Sequence, residues 1–569
     1  MKRKIFFLIA VFQVVTAGAQ KGNPKWLDNA GKAIITVETK TKEGMTRTCP
    51  GFFIREDGEA VASYEIFKKA EKAVAITSTG ERLEVTHILG ADEMYNVIRI
   101  KVAVPKKLIF IPVAKVQPAL NATAFLPPSR DEKNLAQGAI SEITKISGAF
   151  DYYKIDMPLP RTQVGFPLLT ETGDVFAVTQ ADATGKDKTY GISIAYLQNI
   201  RVGATDMFKK VYTDIGIRMA WSTDFDDAQI SLMLYSSQQD VPTYLETLND
   251  FIATFPTYTE GYLSRASLFA HNRKTLASTE NEQLQLLDKA WNDLESAAKY
   301  AKTKGDGFYN KARVIFGVVA GDSLLTNKNW NMKAVEENLQ KALKESNRPL
   351  YRQLEGEIAF FQADYNKAFN AFAFVNQSAE STGLSFYYAA KSKQLIEGAN
   401  ILDIISLLDS AVAKSTPNEA AAYLLEVIDI KTQLNLYEDV VNDYNRYLIA
   451  MNGNVNDAFY YYRAQAKFRT GDLEGALKDI ETAILFDKTN AIYYAEKASI
   501  YLRLNDIPKA QENAEKAIEL EPEFASAYRL IGVCHLRQEK KTEACTFFNK
   551  AKELGDPIAD RLIKDNCSL

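Results

Sequence analysis

The chain has 569 residues, of which 46% are apolar and 25% charged. That length exceeds one ordinary hydrophobic core, and the composition excludes a disordered or fibrous chain. Lys and Arg number 68 against 72 Asp and Glu, a net charge of −4, so the basic footprint of a nucleic-acid binder is missing and no nucleic-acid partner is expected.

Lys2, Arg3 and Lys4 form a positive start, followed by an apolar run from Ile5 to Val15 and an Ala17-Gly18-Ala19 cleavage pattern. This reads as a secretory signal peptide over 1–19, so export is expected, to the periplasm first, with secretion or envelope association as the alternatives. The apolar run is too short to span a bilayer. No later stretch has 18 uninterrupted apolar residues, and the mature chain is expected to lack a transmembrane segment. Four cysteines are too few for a disulfide framework.

From 27 to 205 the chain alternates apolar and polar residues over short spans broken by turns, as in AIITVET, GFFIRED, KAVAITSTGERLEV and VIRIKVAV. Many short strands at this spacing predict an all-β barrel or sandwich. A connector, 206–223, follows. Three stretches carry a frame. Pro50-Gly51-Phe52-Phe53-Ile54 precedes Ala60-Val61-Ala62-Ser63-Tyr64-Glu65-Ile66-Phe67, Gly90 to Val102 reads GADEMYNVIRIKV, and Thr162 to Pro167 reads TQVGFP.

At these spacings the first half resembles the HtrA-type, trypsin-like serine proteases, which implies a double β-barrel. The resemblance puts Glu65 at the place of the catalytic histidine, Asn96 at that of the aspartate and Val164 at that of the nucleophilic serine. Acyl transfer needs a nucleophile, a base and a group that orients the base. Val164 has no lone pair, Glu65 finds no hydroxyl at the partner place, and Asn96 is neutral. Thr162 replaces a glycine at the oxyanion site, where a β-branched residue disfavours the required backbone, and Phe166 is expected to project bulk near the cleft. The reading is a degenerate, catalytically dead domain with no catalytic residues. Ser63, Thr162 and His87 are the remaining candidates there and read as strand or turn residues. Three histidines form no H-E-x-x-H or Cys/His cluster, and there is no P-loop or G-x-G-x-x-G, so neither metal nor cofactor is expected.

Helical periodicity takes over across 224–558. Residues 457–490, 491–524 and 525–558 align without a gap at period 34. Small residues recur at the eighth place (Ala464, Ala498, Gly532), and alanine at the twentieth (Ala476, Ala510, Ala544) and twenty-seventh (Ala483, Ala517, Ala551). Small residues there let antiparallel helices approach closely, and this resembles the tetratricopeptide repeat (TPR). Weaker copies run upstream, around NLYEDV, ADYNKA and GYLSRASLFA, and suggest about eight to ten helix pairs in all. The segment 559–569 reads as a cap.

The thirteenth place of the three clear repeats is Arg469, Arg503 and Arg537. Stacking would line them up as a positive ladder for acidic or C-terminal segments of a partner. The opposing reading is that basic residues simply end a first helix. Tyr461, Gln465, Ser499, Arg529 and Val533 occupy other places expected to face a ligand. Cys534 and Cys545 flank the last inter-helix turn and are a possible bridge, with Cys567 in competition. The whole reads as an exported, non-catalytic adaptor that holds protein or peptide partners. The alternatives are a peptidase with displaced chemistry and a decoy that captures extended peptides.

Overall fold

The computed structural model describes residues 24–130, 132–181, 187–322 and 327–567. The signal reading over 1–19 lies outside the described residues. The chain divides into two compact units, one ending at Ser264 and the other starting at Arg265.

The first unit opens with a helix, Leu27–Ala33, and twelve strands. β1 (Ile34–Thr41), β2 (Thr46–Phe53), β3 (Glu59–Ala62), β4 (Ala70–Ile76), β5 (Arg82–Asp92) and β6 (Val97–Val102) close a barrel in the order β1-β2-β3-β6-β5-β4. β7 (Thr123–Leu126), β8 (Ala136–Ile146), β9 (Phe150–Ile155), β10 (Pro167–Leu169), β11 (Val175–Gln180) and β12 (Thr189–Ser193) close a second, in the order β10-β11-β12-β9-β8-β7. Closure leaves no strand edge free for aberrant pairing. The alternation read from the sequence is the cause: β1 buries every second residue, and Ile35 and Val37 point inward with Phe53, Ile88 and Ile100. The second barrel packs Ile140, Tyr153, Leu168 and Phe176 inside. A shared layer of Phe52, Val61, Val97, Leu169, Val175 and Ile192 joins the two barrels.

The expected connector, 206–223, packs against the first barrel. Tyr212, Ile215 and Ile217 are buried in that barrel's core, and Met219 bridges to Ile88 beside them. The compact division also falls later than Asp224, the start of the helical half. Helices Phe225–Gln238 and Val241–Thr254 belong to the first unit. Asp250 is tied to His87 and Trp221, and Glu246 pairs with Arg218. Helical periodicity says that a segment is a helix, not which body it packs on.

From Phe225 to Asn566 there are twenty helices among the described residues. In the last three repeats the alanines at the eighth, twentieth and twenty-seventh places are all fully buried, at 0% exposure. Gly532 takes the eighth place in the last repeat, where an added Cβ would lie 2.6 Å from the Phe548 ring. The inter-helix turns repeat as closely: Gly471, Asn505 and Glu539, each 34 residues from the next, have φ of 89°, 61° and 62°. A left-handed residue ends each first helix, which suits Gly and Asn and costs Glu539 some strain. The next residue caps the second helix. Asp472 and Asp506 accept from backbone N–H groups, while Lys540 has no acceptor to offer.

A disulfide joins Cys545 to Cys567, so the competing partner wins, and Cys534 stays a buried free thiol. Cys534 is fully buried, whereas Cys567 follows the capping helix Ala559–Asn566 that packs on the last repeat.

Candidate functional site

The three places that the sequence resemblance assigns to a triad are Glu65, Asn96 and Val164, and each sits in a turn with its own hydrogen bonds. Glu65 sits in a short 3₁₀ turn, Tyr64–Phe67, with its carboxylate exposed and 2.9 Å from Lys68 Nζ. Asn96 takes a left-handed φ of 51°, a conformation that asparagine tolerates. Its Oδ1 accepts from the Glu65 N–H at 2.7 Å and from Ser63 Oγ at 2.9 Å. Ser63 is therefore bound to the turn, and the Asn96 amide is a loop clasp that orients no base.

Val164 follows a 3₁₀ turn, Arg161–Gln163, and precedes Gly165 at φ 86°. A working oxyanion site aims free N–H groups at one point. Here the Val164 N–H donates to the Arg161 carbonyl at 3.4 Å and the Gln163 N–H to Pro160 at 2.9 Å. Thr179 Oγ1 locks the turn, donating to the Gln163 carbonyl at 2.6 Å and accepting from the Phe166 N–H at 2.9 Å. The buried Gln163 amide donates to the Pro127 carbonyl at 2.8 Å. Phe166, expected to project bulk near the cleft, does line it, with only 4% of the residue exposed and the ring packed against the second barrel's core.

A cleft of about 590 Å³ lies between the barrels, walled by Ile35, Thr48, Cys49, Pro50, Thr162 and Phe166. Cys49 is a cleft thiol that strand periodicity alone did not single out. Burial pushes its thiol up to about 11 despite a hydrogen bond from the Ser63 backbone, so it is a neutral thiol at physiological pH. His87 lies elsewhere, on β5, with Nε2 3.2 Å from both Asp250 oxygens. Burial works to raise the Asp250 carboxyl, but the His87 and Trp221 hydrogen bonds and the Arg218 charge hold it below the usual carboxylate range. Among the described residues no group of three or more His, Cys, Asp or Glu is placed to hold a metal ion.

In the repeats, Arg469, Arg503 and Arg537 are exposed and none is in an ion pair among the described residues. Arg469 lies over the Tyr437 ring at 5.9 Å and Arg503 over Phe468 at 4.9 Å, so two of the three guanidinium groups stack on the preceding helices. Gln465 Nε2 donates to the Tyr461 hydroxyl at 2.8 Å. Beside them Glu496, absent from the sequence-derived set, has its carboxyl raised by burial against the opposing effects of Gln465 and Arg469. Arg529 is committed internally, its Nε 2.9 Å from the buried Asp556 carboxylate. Ser499 donates to the Ala495 carbonyl of its own helix at 3.0 Å, and Val533 is half-buried. Tyr461, Gln465, Glu496 and Arg469 thus form one cluster, while Ser499 and Arg529 are structural.

Comparison with known proteins agrees for the array. Residues 496–557 match the tetratricopeptide repeat family model. A small glutamine-rich tetratricopeptide repeat-containing protein of Dictyostelium discoideum is 38% identical over 89 residues, 16% of this chain and 27% of the relative. A second protein of that description, from Saccharomyces cerevisiae, is 32% identical over 95 residues, 16% of this chain and 28% of its own length. A TPR repeat-containing protein of Methanocaldococcus jannaschii is 24% identical over 218 residues, 35% of this chain and 37% of its own length. The chain therefore spans 27% to 37% of the length of these curated relatives. A serine endoprotease structure from Yersinia pestis superposes at 17% identity with a TM-score of 0.26, over 33% of this chain and 67% of the other. The double barrel itself rests on the strand pairing described above. The second half is a TPR-like array, a class of scaffold for protein interaction. Among the described residues no helix is long and apolar enough to cross a membrane.

Proposed function

We propose that this chain is an exported, non-catalytic adaptor that holds protein partners on its repeat array, with the first unit a degenerate protease-like domain. The carrying observation is the set of exposed arginines at one place in three successive repeats, none in a salt bridge among the described residues, beside the Tyr461–Gln465–Glu496 cluster. Guanidinium groups displayed in this way suit acidic or C-terminal carboxylate groups of a bound segment. The valine at the nucleophile place and the engaged Val164 N–H support the loss of catalysis. The signal-like start and the Cys545–Cys567 disulfide support export to an oxidising compartment such as the periplasm.

The test is to change Arg469, Arg503 and Arg537 together to glutamate and measure capture of crosslinked partners from the native envelope. Capture should fall by about tenfold or more, as inverted charged contacts predict. Stability should fall by no more than about 2 kcal/mol, the two stacked guanidinium contacts being worth roughly 0.5–1 kcal/mol each. Undiminished capture at intact stability would remove the ladder from the account.

A further inference from the structure

The first unit holds a second pocket, with none of Glu65, Asn96 and Val164 in its lining, and its use goes beyond the role of the array. It encloses about 690 Å³, within the range of small-molecule sites, and reaches from the barrel strands to helix Val241–Thr254. Four cations line it, Arg55, Arg99, Lys101 and Arg201, against two lining acids, Asp57 and Glu59. Four against two leaves an excess of two positive charges facing the cavity. Enclosed by low-dielectric walls, such an excess concentrates anions.

The walls are built and braced. Arg99 and Glu59 are 13% and 10% exposed, and Arg99 donates to Glu59 Oε1 from Nε at 2.9 Å and from Nη2 at 2.6 Å. Arg99 Nη1 also donates to the Ile200 carbonyl at 2.8 Å, which pins the strip after helix Ile194–Asn199 to the barrel. Gly90 makes that approach feasible, since a Cβ there would lie 2.5 Å from the same carbonyl. Arg201, one residue on, is exposed and forms no ion pair among the described residues. Lys101 is 3.0 Å from Asp57, while Arg55 stands 3.8 Å or more from Asp57 and Glu59. Opposite, Trp221 Nε1 donates to Asp250 at 2.9 Å, and Asp250 in turn holds His87. Asp250 is thus held by its own two hydrogen-bond partners, and with Arg55 within 4 Å of both acids the open cation is Arg201.

We propose that this pocket binds a carboxylate-bearing anion, either a small polycarboxylate or the acidic side chains of a short peptide. A planar guanidinium takes a carboxylate through two parallel hydrogen bonds, and Arg201 is the group free to do so. Trp221 in the wall supplies the signal.

The experiment titrates the full chain with citrate, and separately with a short glutamate-rich peptide and its glutamine counterpart, reading tryptophan fluorescence and binding heat. Citrate or the acidic peptide should bind saturably, the glutamine peptide should not, and rising salt should weaken binding. Arg201→Glu should weaken it by about tenfold or more while the melting temperature holds, because Arg201 braces nothing. Arg201→Lys should retain part of the affinity. Citrate alone binding would identify a small-molecule site, and the acidic peptide binding would identify a peptide site. Saturable binding of neither, or equal affinity in Arg201→Glu, would overturn the proposal. None of these readouts involves partner capture by the array.

Discussion

Changing Asp479 to alanine should destabilise the repeat array by about 3–5 kcal/mol, the usual cost of stranding a buried charge. The Asp479 side chain is 4% exposed and accepts from Arg463 Nε at 2.8 Å, Arg463 Nη2 at 2.7 Å and Lys467 Nζ at 2.8 Å. Both cations lie on the first helix of the repeat, Asp457–Thr470, and the acid on the second, Leu473–Phe486. The three groups hold the hairpin together. Arg463 is itself 9% exposed, stacks over Phe459 at 5.0 Å and donates from Nη1 to Asn445 in the preceding helix at 3.0 Å. It cannot turn out to water once the carboxylate is gone. Because each repeat leans on its neighbours, the loss should spread to flanking hairpins. Denaturant unfolding with amide exchange across 457–558 reads both effects. Asp479→Asn, which keeps the shape and one acceptor, should fall between. A cost below about 1 kcal/mol, the level of an ordinary substitution, would mean the triad is solvated and incidental.

The second large effect belongs to the first unit. Arg99→Ala removes the partner of Glu59 and the donor to the Ile200 carbonyl in one step. The expected cost is again about 3–5 kcal/mol, because Glu59 is left charged among buried strands. Replacing Arg99 and Glu59 together by methionine should recover much of it, since removing both members of a buried pair is often close to neutral. Thermal melting of the two variants decides the matter. If the double replacement is no better than Arg99→Ala, the pair's role is positional and the carbonyl contact dominates.

These two ion clusters mark where sequence reasoning stopped. The alanine places of the repeats were legible because small residues at a fixed period have one use, close helix packing, and every one of those alanines is buried. The β-strands were legible because alternation is local to a strand and its turn. Asp250 was not. It meets His87 across a sequence separation of 163, and nothing in the helix Val241–Thr254 advertises that it packs on a barrel. The same ignorance of tertiary partners left the cysteine pairing open. Arg529 is a further case. Its place in the repeat was read as facing a ligand, yet the buried Asp556, 27 residues on, takes its guanidinium. Local pattern identifies elements and positions, and it does not reveal which charged group answers which.

The claim that the first unit holds no peptidase is tested most directly by incubating purified full-length protein, and the variant Val164→Ser, with labelled casein. The account predicts no release of labelled peptides by either. A serine at that place still meets Glu65 and Asn96 where an imidazole and its orienting carboxylate would be needed, and its N–H is still donated to Arg161. Release by the parent that tracks the protein through a further purification, or turnover by Val164→Ser above the parent, would contradict it.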